Sequence, residues 1–174
     1  LKQALDLAFP TRISEDILSD MYSKLIINSG ITCGGAMSGQ TLGRMLAGRK
    51  PRLFFIRIVR EGLAVAEALG LKVPPFGGKL DYYRFIQGSG PLAELRRHGI
   101  LFAIGLKYRK LKSSSLTALQ RGEKTEVDFL NGWIADRGKE LGVPTPVNSR
   151  VVAIIKQIEA GQRAISPANI WDTL

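Results

Sequence analysis

Two polar side chains, Lys24 and Asn28, stand four residues apart in a stretch whose apolar residues recur at helical spacing. On an α-helix this spacing puts both side chains on one face, one turn from each other. A lysine can act as a general acid because its ammonium group offers both a proton and a positive charge to a developing alkoxide. The same spacing is also typical of a solvated helix surface on which Lys24 forms an ion pair with Asp20, one turn earlier.

Glu126 is the carboxylate that could serve such a lysine. A general acid has to stay protonated and be held in place, and a nearby carboxylate does both. Glu126 lies at the start of a predicted helix, where an acidic residue is also favoured by the helix dipole alone. The sequence leaves both interpretations open.

Three consecutive serines, Ser113, Ser114 and Ser115, precede a short predicted helix. Free backbone amides and hydroxyls at such a position can receive an anion. The same serines can instead simply cap the helix.

The glycine clusters do not have the pattern of a nucleotide-binding loop. No strand precedes the glycines of residues 34–43, and both the GxGxxG order and a GK[ST] ending are missing. The pair at residues 77–78 fails the same test, so no residue of this chain is expected to bind a dinucleotide as a Rossmann domain does. Cys33 is the single cysteine and His98 the single histidine, which predicts no internal disulfide and no metal site.

The periodicity is helical almost throughout, which predicts an all-α fold. The helix that carries Lys24 is expected to begin with Ser14 as its N-cap and to loosen at residues 30–35, where small residues cluster. Shorter helices are predicted at 41–47, 81–86 and 116–119, with a loop at 73–79. The longer helices are marked by start or stop residues: Pro51 and Gly70, Pro91, Thr125 with Asp128 as a capping box and Gly142, and Thr145 with Pro146 and Gly161.

The composition predicts one soluble domain, residues 1–174, in the cytoplasm. The chain has 174 residues, 45% of them hydrophobic, and its apolar stretches are shorter than the roughly 20 residues of a membrane span. Residues 1–12 are expected to be a lead-in from a missing N-terminal domain, and 162–174 a docked or frayed tail. Because the chain begins with Leu1 and not Met, it is expected to be a fragment.

The formal net charge of +10 favours anionic partners. Its densest part is a basic cluster formed by Lys107, Arg109, Lys110 and Lys112. Tyr108 is the only aromatic residue within it, so a stacking platform for single strands is poorly supported, and nucleic acid is not an expected partner.

Three segments together resemble the C-terminal domain of ketopantoate reductases. The first is YSKLIIN at residues 22–28, similar to an aromatic-x-Lys-Leu-x-x-Asn helix in that family. The second runs from SSSL at 113–116 through QRGEKTEVDFLNG at 120–132, and the third is GVPTPVN at 142–148. Their order and spacing also agree, so the resemblance extends from about residue 13 to residue 161.

The resemblance implies an all-α domain of the 6-phosphogluconate-dehydrogenase-like type, which normally follows an N-terminal Rossmann domain. Enzymes of the family reduce 2-dehydropantoate with NADPH in pantothenate biosynthesis, and the Rossmann domain holds most of the cofactor. By the same resemblance, Lys24 would be the general acid and Glu126 would orient the lysine and the substrate. Asn28, Ser114 and Thr32 would contact the substrate. The chain alone would be inactive, and its expected partners are a 2-keto acid, its own Rossmann domain and, as an option, a second copy in a homodimer.

Several positions depart from the family pattern. Thr32 and Leu42 stand where the family has Asn, and Leu111 where Asn is frequent; Ser115 and Ala118 replace a usual Met and Asp. Losing amide groups changes how a polar substrate is held, since its buried polar atoms need partners. A paralogous reductase with another 2-keto acid as substrate is therefore an alternative, as is a non-catalytic helical module for interaction or dimerisation.

Overall fold

The computed structural model describes residues 2–11 and 13–174, and within them the prediction of an all-α fold is confirmed. No strand occurs in the described part of the chain, where Phe76 and Leu80 form an isolated antiparallel bridge. The helices are α1 (Lys2–Asp6), α2 (Ile17–Ser38), α3 (Leu42–Ala47), α4 (Arg49–Ala68), α5 (Tyr82–Ile86), α6 (Pro91–Lys107), α7 (Ser114–Gln120), a 3-10 helix (Val127–Phe129), α8 (Asn131–Leu141), α9 (Pro146–Glu159) and α10 (Ala168–Trp171).

The long helix α2 lies at the centre of the fold. It packs against α3, α4, α7, α9 and α10, and apolar side chains on its inner face, such as Ile26 and Met37, are fully buried. It runs antiparallel to α4, because Gly62 of α4 lies against Ile26 and Phe55 lies against Gly30. Helix α6 packs on α3 and α4.

The prediction that this helix loosens at residues 30–35 is wrong, since α2 continues unbroken to Ser38. Its glycines allow neighbouring helices to approach closely. A Cβ atom at Gly30 would lie 2.5 Å from the ring of Phe55, and one at Gly35 would lie 2.8 Å from Ser113. Tertiary packing therefore outweighs the low helix propensity of glycine.

The predicted N-cap of α2 is also wrong by two residues. The helix begins after Asp16, whose carboxylate accepts a hydrogen bond from the backbone N–H of Ser19 at 3.1 Å. Ser14 instead donates its hydroxyl to Asp20 at 2.6 Å. Ser and Asp are both strong capping residues, so local sequence does not separate them.

The predicted capping box at Thr125 and Asp128 does not form. The N–H of Thr125 donates to Glu159, and the carboxylate of Asp128 pairs with Lys156 at 2.6 Å. A 3-10 turn, Val127–Phe129, therefore comes first, and α8 begins only at Asn131. The predicted glycine stops are confirmed: Gly70, Gly142 and Gly161 have φ values of 71°, 68° and 70°.

The C-terminal tail is docked. The N–H of Ser166 and the side-chain amide of Asn169 both donate to the carbonyl oxygen of Met37, each at 3.0 Å, and Ile170 is fully buried. In the lead-in predicted for residues 1–12, a short helix, α1, covers Lys2–Asp6, whereas Leu1 and Arg12 lie outside the described residues. Among the helices described, none combines the length and apolar character needed to cross a bilayer.

Candidate functional site

Lys24, Asn28 and Thr32 follow one another at one-turn intervals along α2, on the face opposite Ile26 and Met37. Lys24 is exposed, Asn28 is half-buried and Thr32 is buried. Within α2 the only charged residues are Asp20 and Lys24. Among residues 2–11 and 13–174, no hydrogen bond or ion pair involves the Lys24 ammonium group, so the ion pair with Asp20 suggested by the sequence is not formed.

The turn of α2 that carries Lys24 is held by three hydrogen bonds. The hydroxyl of Tyr22 donates to the carbonyl oxygen of Gly62 at 2.9 Å, and the hydroxyl of Ser23 donates to the carbonyl oxygen of Pro74 at 2.9 Å. Tyr82 donates its own hydroxyl to the carbonyl oxygen of Ser23 at 2.6 Å. The backbone below Lys24 is thus fixed, while its long side chain is free to reach a ligand.

The serine cluster meets α2 near Gly35. Ser113 is the N-cap of α7, since its hydroxyl accepts the N–H of Leu116 at 3.0 Å, so capping accounts for this serine. Ser114, the first residue of α7, is exposed beside the contact between Ser113 and Gly35. The hydroxyl of Ser115 is buried and has no hydrogen-bond partner in the described part of the chain.

Glu126 acts electrostatically on Cys33, which lies in the C-terminal part of α2. Burial raises the pKa of the Cys33 thiol, and the negative charges of Glu126 and Glu159 raise it further. The side chain of Glu126 is exposed, and its backbone carbonyl accepts the N–H groups of Phe129 and Leu130. The serine cluster therefore packs on α2, whereas the segment after Glu126 packs on α8 and α9.

The segment that leads into Glu126 is fixed by residues that the sequence did not single out. The carboxylate of Glu159 accepts both the N–H and the hydroxyl of Thr125, each at 2.8 Å. Burial works to raise the pKa of Glu159, but these hydrogen bonds and Lys156 outweigh it, so the pKa is lowered overall. Thr125 and Glu159 are 34 residues apart, and no local spacing could have revealed the contact.

The distance along α2 from Lys24 to Gly35, where the serine cluster meets the helix, limits which ligands could contact both. Lys24 precedes Gly35 by eleven residues, which is roughly 16 Å along the helix axis at about 1.5 Å per residue. The backbones of Lys24 and Gly35 are therefore too far apart for one small ligand to contact both. Asn28 and Thr32 lie between Lys24 and Gly35 along the helix.

Two of the positions that depart from the family pattern touch each other. The N–H of Leu42 donates to the carbonyl oxygen of Leu111 at 2.9 Å, and the side chain of Leu42 is buried. The side chain of Leu111 is exposed.

The basic cluster lies apart from the Lys24 turn, beside an open cleft of about 650 Å³ between α3 and α6. Its loop is fixed on α3, because a Cβ atom at Gly43 would lie 2.5 Å from the Cα of Arg109. The lining contains no aromatic residue: Thr41, Gly43, Arg44, Ala47, Gly105, Leu106, Arg109, Lys110 and Lys112. It offers charge to an anion, but no ring on which a base could stack. In residues 2–11 and 13–174, no group of three or more His, Cys, Asp or Glu side chains could hold a metal ion.

Comparison with known proteins shows the family of this chain. Residues 16–159 match the family model described as "Ketopantoate reductase PanE/ApbA C terminal". The chain is 40% identical over 148 residues to a 2-dehydropantoate 2-reductase of Archaeoglobus fulgidus, covering 84% of this chain and 42% of that protein. It is 29% identical over 149 residues to the enzyme of the same name from Pyrobaculum aerophilum, covering 86% of this chain and 46% of that protein.

The fold agrees with this result. A crystal structure of a PanE/ApbA family ketopantoate reductase from Ralstonia eutropha JMP134 superposes with a TM-score of 0.70 at 27% identity, covering 90% of this chain and 46% of that chain. The chain thus spans less than half the length of the relatives it matches.

Proposed function

This chain belongs to the ketopantoate reductase family, whose C-terminal domain it matches, and from that premise we propose that it is the substrate-side half of an NADPH-dependent 2-keto-acid reductase. One observation carries the proposal. Lys24 is the single cation of α2, stands on a turn fixed by three hydrogen bonds, and forms no ion pair with the described residues. A lysine that only stabilised the helix surface would more often have an acidic partner.

The described residues do not form a Rossmann-type dinucleotide site. The described part forms no parallel sheet and no glycine-rich turn between a strand and a helix, which is what a Rossmann-type site requires. NADPH would be held by a separate nucleotide-binding half, from which it supplies the hydride. The contribution of this chain is to bind the keto acid, orient it and deliver the proton.

In the proposed reaction, the Nζ of Lys24 donates a proton to the ketone oxygen as the carbonyl carbon is reduced. The C=O double bond becomes a C–O single bond, and the product is a 2-hydroxy acid. Because Lys24 is exposed, the neutral amine regains its proton from water between turnovers. The positive charge of the ammonium group also stabilises the negative charge that develops on the oxygen.

The remaining site residues are proposed to hold the substrate. Asn28 and Thr32 follow Lys24 along the same face of α2, so a compact ligand beside Lys24 would contact them. Ser114 would donate a hydrogen bond to the substrate, and Glu126 would orient both the substrate and the lysine. Asn28 and Thr32 come from α2, and Ser114 follows Ser113, which lies against Gly35 of that helix.

The substrate is proposed to be 2-dehydropantoate or a related 2-keto acid. Leu42, which is buried, and Leu111 replace amides that family members with Asn would have, so a 2-keto acid that needs fewer hydrogen-bond partners is favoured. Comparing kcat/KM for 2-dehydropantoate with the values for 2-keto acids that carry apolar side chains decides between these substrates.

The proposal is tested with Lys24→Ala in the full-length protein that contains this chain, by following NADPH oxidation with 2-keto acids. Loss of the general acid should lower kcat by about 10²–10⁴-fold with little change in folding. The matched control is Lys79→Ala, which removes an exposed lysine of the 73–79 loop. Equal turnover in the two variants would contradict the proposal and would favour the non-catalytic helical module.

A further inference from the structure

The segment around Glu126 is held on both sides by the last turn of α9. Glu159 ends that helix, and its Oε1 accepts hydrogen bonds from the backbone N–H and the hydroxyl of Thr125, each at 2.8 Å. Three residues earlier, the Nζ of Lys156 pairs with the carboxylate of Asp128 at 2.6 Å. Thr125 directly precedes Glu126 and Asp128 follows it by two residues, so the two contacts flank Glu126.

The two α9 residues differ in how firmly they can hold the segment. The Nζ of Lys156 also lies 3.3 Å from Oε2 of Glu159, so one carboxylate oxygen of Glu159 contacts Thr125 and the other contacts the lysine. The side chain of Glu159 is 10% exposed, whereas those of Lys156 and Asp128 are 42% and 55% exposed. Hydrogen bonds to a mostly buried carboxylate are stronger than ion pairs in water, so Glu159 is the main support.

Helix α9 is itself fixed at its other end. The carboxylate of Glu61 in α4 accepts the backbone N–H groups of Val147 and Asn148, each at 2.9 Å, in the first turn of α9. A negative charge is favoured at a helix N-terminus. Ile154 and Ile155, in the middle of the helix, are buried in the core. The last turn of α9 therefore has a defined place in the fold from which to hold another segment.

Glu126 has no side-chain support of its own. Its carboxylate is exposed and forms no hydrogen bond or ion pair with the part of the chain that the structure describes. Its position is set by the backbone: its carbonyl oxygen accepts the N–H groups of Phe129 and Leu130, and the contacts of α9 hold the residues on either side. A side chain that orients a substrate depends on such support, because small displacements lower the rate steeply.

We propose that Glu159 is a positioning residue for Glu126, whose backbone it fixes through the hydrogen bonds to Thr125. Lys156 assists by holding Asp128 on the other side. In this role Glu159 acts through the backbone of residues 125 and 126 and not by contact with the substrate. The inference rests on the orienting role proposed above for Glu126, and the experiment is arranged so that the two can fail separately.

A double-mutant cycle in the full-length protein tests the proposal, with kcat/KM measured for 2-dehydropantoate and NADPH. Glu159→Ala should lower kcat/KM by roughly tenfold to a hundredfold, as expected for a displacement of about 1 Å at a site residue. Glu126→Ala should lower it at least as much. In the double variant the loss should equal that of Glu126→Ala alone, because Glu159 then has no side chain left to position.

Variants of similar shape separate positioning from a general loss of stability. Glu159→Gln keeps a side-chain oxygen that can accept both hydrogen bonds from Thr125, so it should retain most of the kcat/KM that Glu159→Ala loses. Thr125→Val removes one of the two donors and should give a smaller loss than Glu159→Ala. The matched control is Glu67→Ala, which removes an exposed carboxylate of α4 and should leave kcat/KM unchanged. Urea denaturation checks that each variant is folded under the assay conditions, and if Glu159→Ala is not, Thr125→Val takes its place in the cycle.

Two results would overturn the inference alone. The first is a double variant in which the separate losses multiply, since Glu159 would then act independently of Glu126. The second is an equal kcat/KM in Glu159→Ala and Glu67→Ala. Full kcat/KM in Glu126→Ala would instead overturn the orienting role of Glu126, and the inference with it.

Discussion

Helices α2 and α6 use glycine in opposite ways. In α2, Gly30, Gly34 and Gly35 lie in contact with Phe55, Met45 and Ser113, and each one lets another element approach the helix. In α6, Gly99 faces open space between exposed leucines. The glycines of α2 are explained by the elements that pack on them, whereas no contact in the described chain requires a glycine at residue 99.

The two helices also differ in charge. Helix α2 carries one acidic and one basic residue in 22, and the basic one, Lys24, lies at the candidate site. Helix α6 carries Glu94, Arg96, Arg97, His98 and Lys107 in 17 residues. Changes of pH and salt should therefore act on α6 and its contacts with α4 more than on the packing of α2.

The largest effect that sharpens this comparison is expected from Gly30→Ala. The new Cβ atom would lie 2.5 Å from the Phe55 ring, which is itself only 2% exposed and has little room to move. Overpacking of this kind costs about 1–3 kcal/mol, more than the gain of about 1 kcal/mol in helix propensity. Urea denaturation should show a lower free energy of unfolding, and an unchanged midpoint would mean that the close approach of α2 and α4 is not needed.

The opposite change in the free energy of unfolding is expected for Gly99→Ala, the same substitution in α6. The new methyl group meets nothing in the chain, so the free energy of unfolding should rise by up to about 1 kcal/mol. Destabilisation of the protein would show that Gly99 has a role within the chain after all.

These glycines also mark the limit of what the sequence could predict. Gly70, Gly142 and Gly161 were correctly predicted as helix stops, because each ends an apolar repeat and adopts a positive φ angle. The glycines of residues 30–35 have the same local appearance, but their role depends on α3, α4 and α7, which are distant in sequence. Local pattern cannot tell a helix end from a helix contact when both are made of glycine.

In the candidate site, too, local features could be predicted from the sequence and long-range contacts could not. The one-turn spacing of Lys24 and Asn28 is local, and the sequence placed both correctly on one face of a helix. The support of the site is not local: Tyr82 holds Ser23 across 59 residues, and Glu159 holds Thr125 across 34. The roles of Lys24, Glu126, Asn28, Ser114 and Thr32 stay predictions until the variants are assayed.

The smallest effect concerns pH and the contact between α6 and α4. His98, the single histidine, accepts a hydrogen bond at Nδ1 from Arg52 of α4 at 3.2 Å. Burial lowers its pKa below the ordinary 6.5; the charge of Arg52, and those of Arg49 and Arg97, lower it further, against the opposing effect of Glu94. The neutral imidazole is therefore the form that the folded protein favours.

The direction in which stability changes with pH follows from the lowered pKa of His98. As the pH falls below 6.5, the unfolded chain binds the proton first, so the stabilisation present above 6.5 is lost as the pH passes through the folded pKa. The urea midpoint should be lower at pH 5.5 than at pH 7.5, and His98→Gln should reduce the difference, since glutamine does not titrate. The carboxyls of Glu94 and Glu159 have pKa values below 4.5 and do not contribute in this window. Helix α2 contains no histidine. If the same pH dependence remained in His98→Gln, it would come from groups other than His98, and the expected difference in pH sensitivity between α6 and α2 would be wrong.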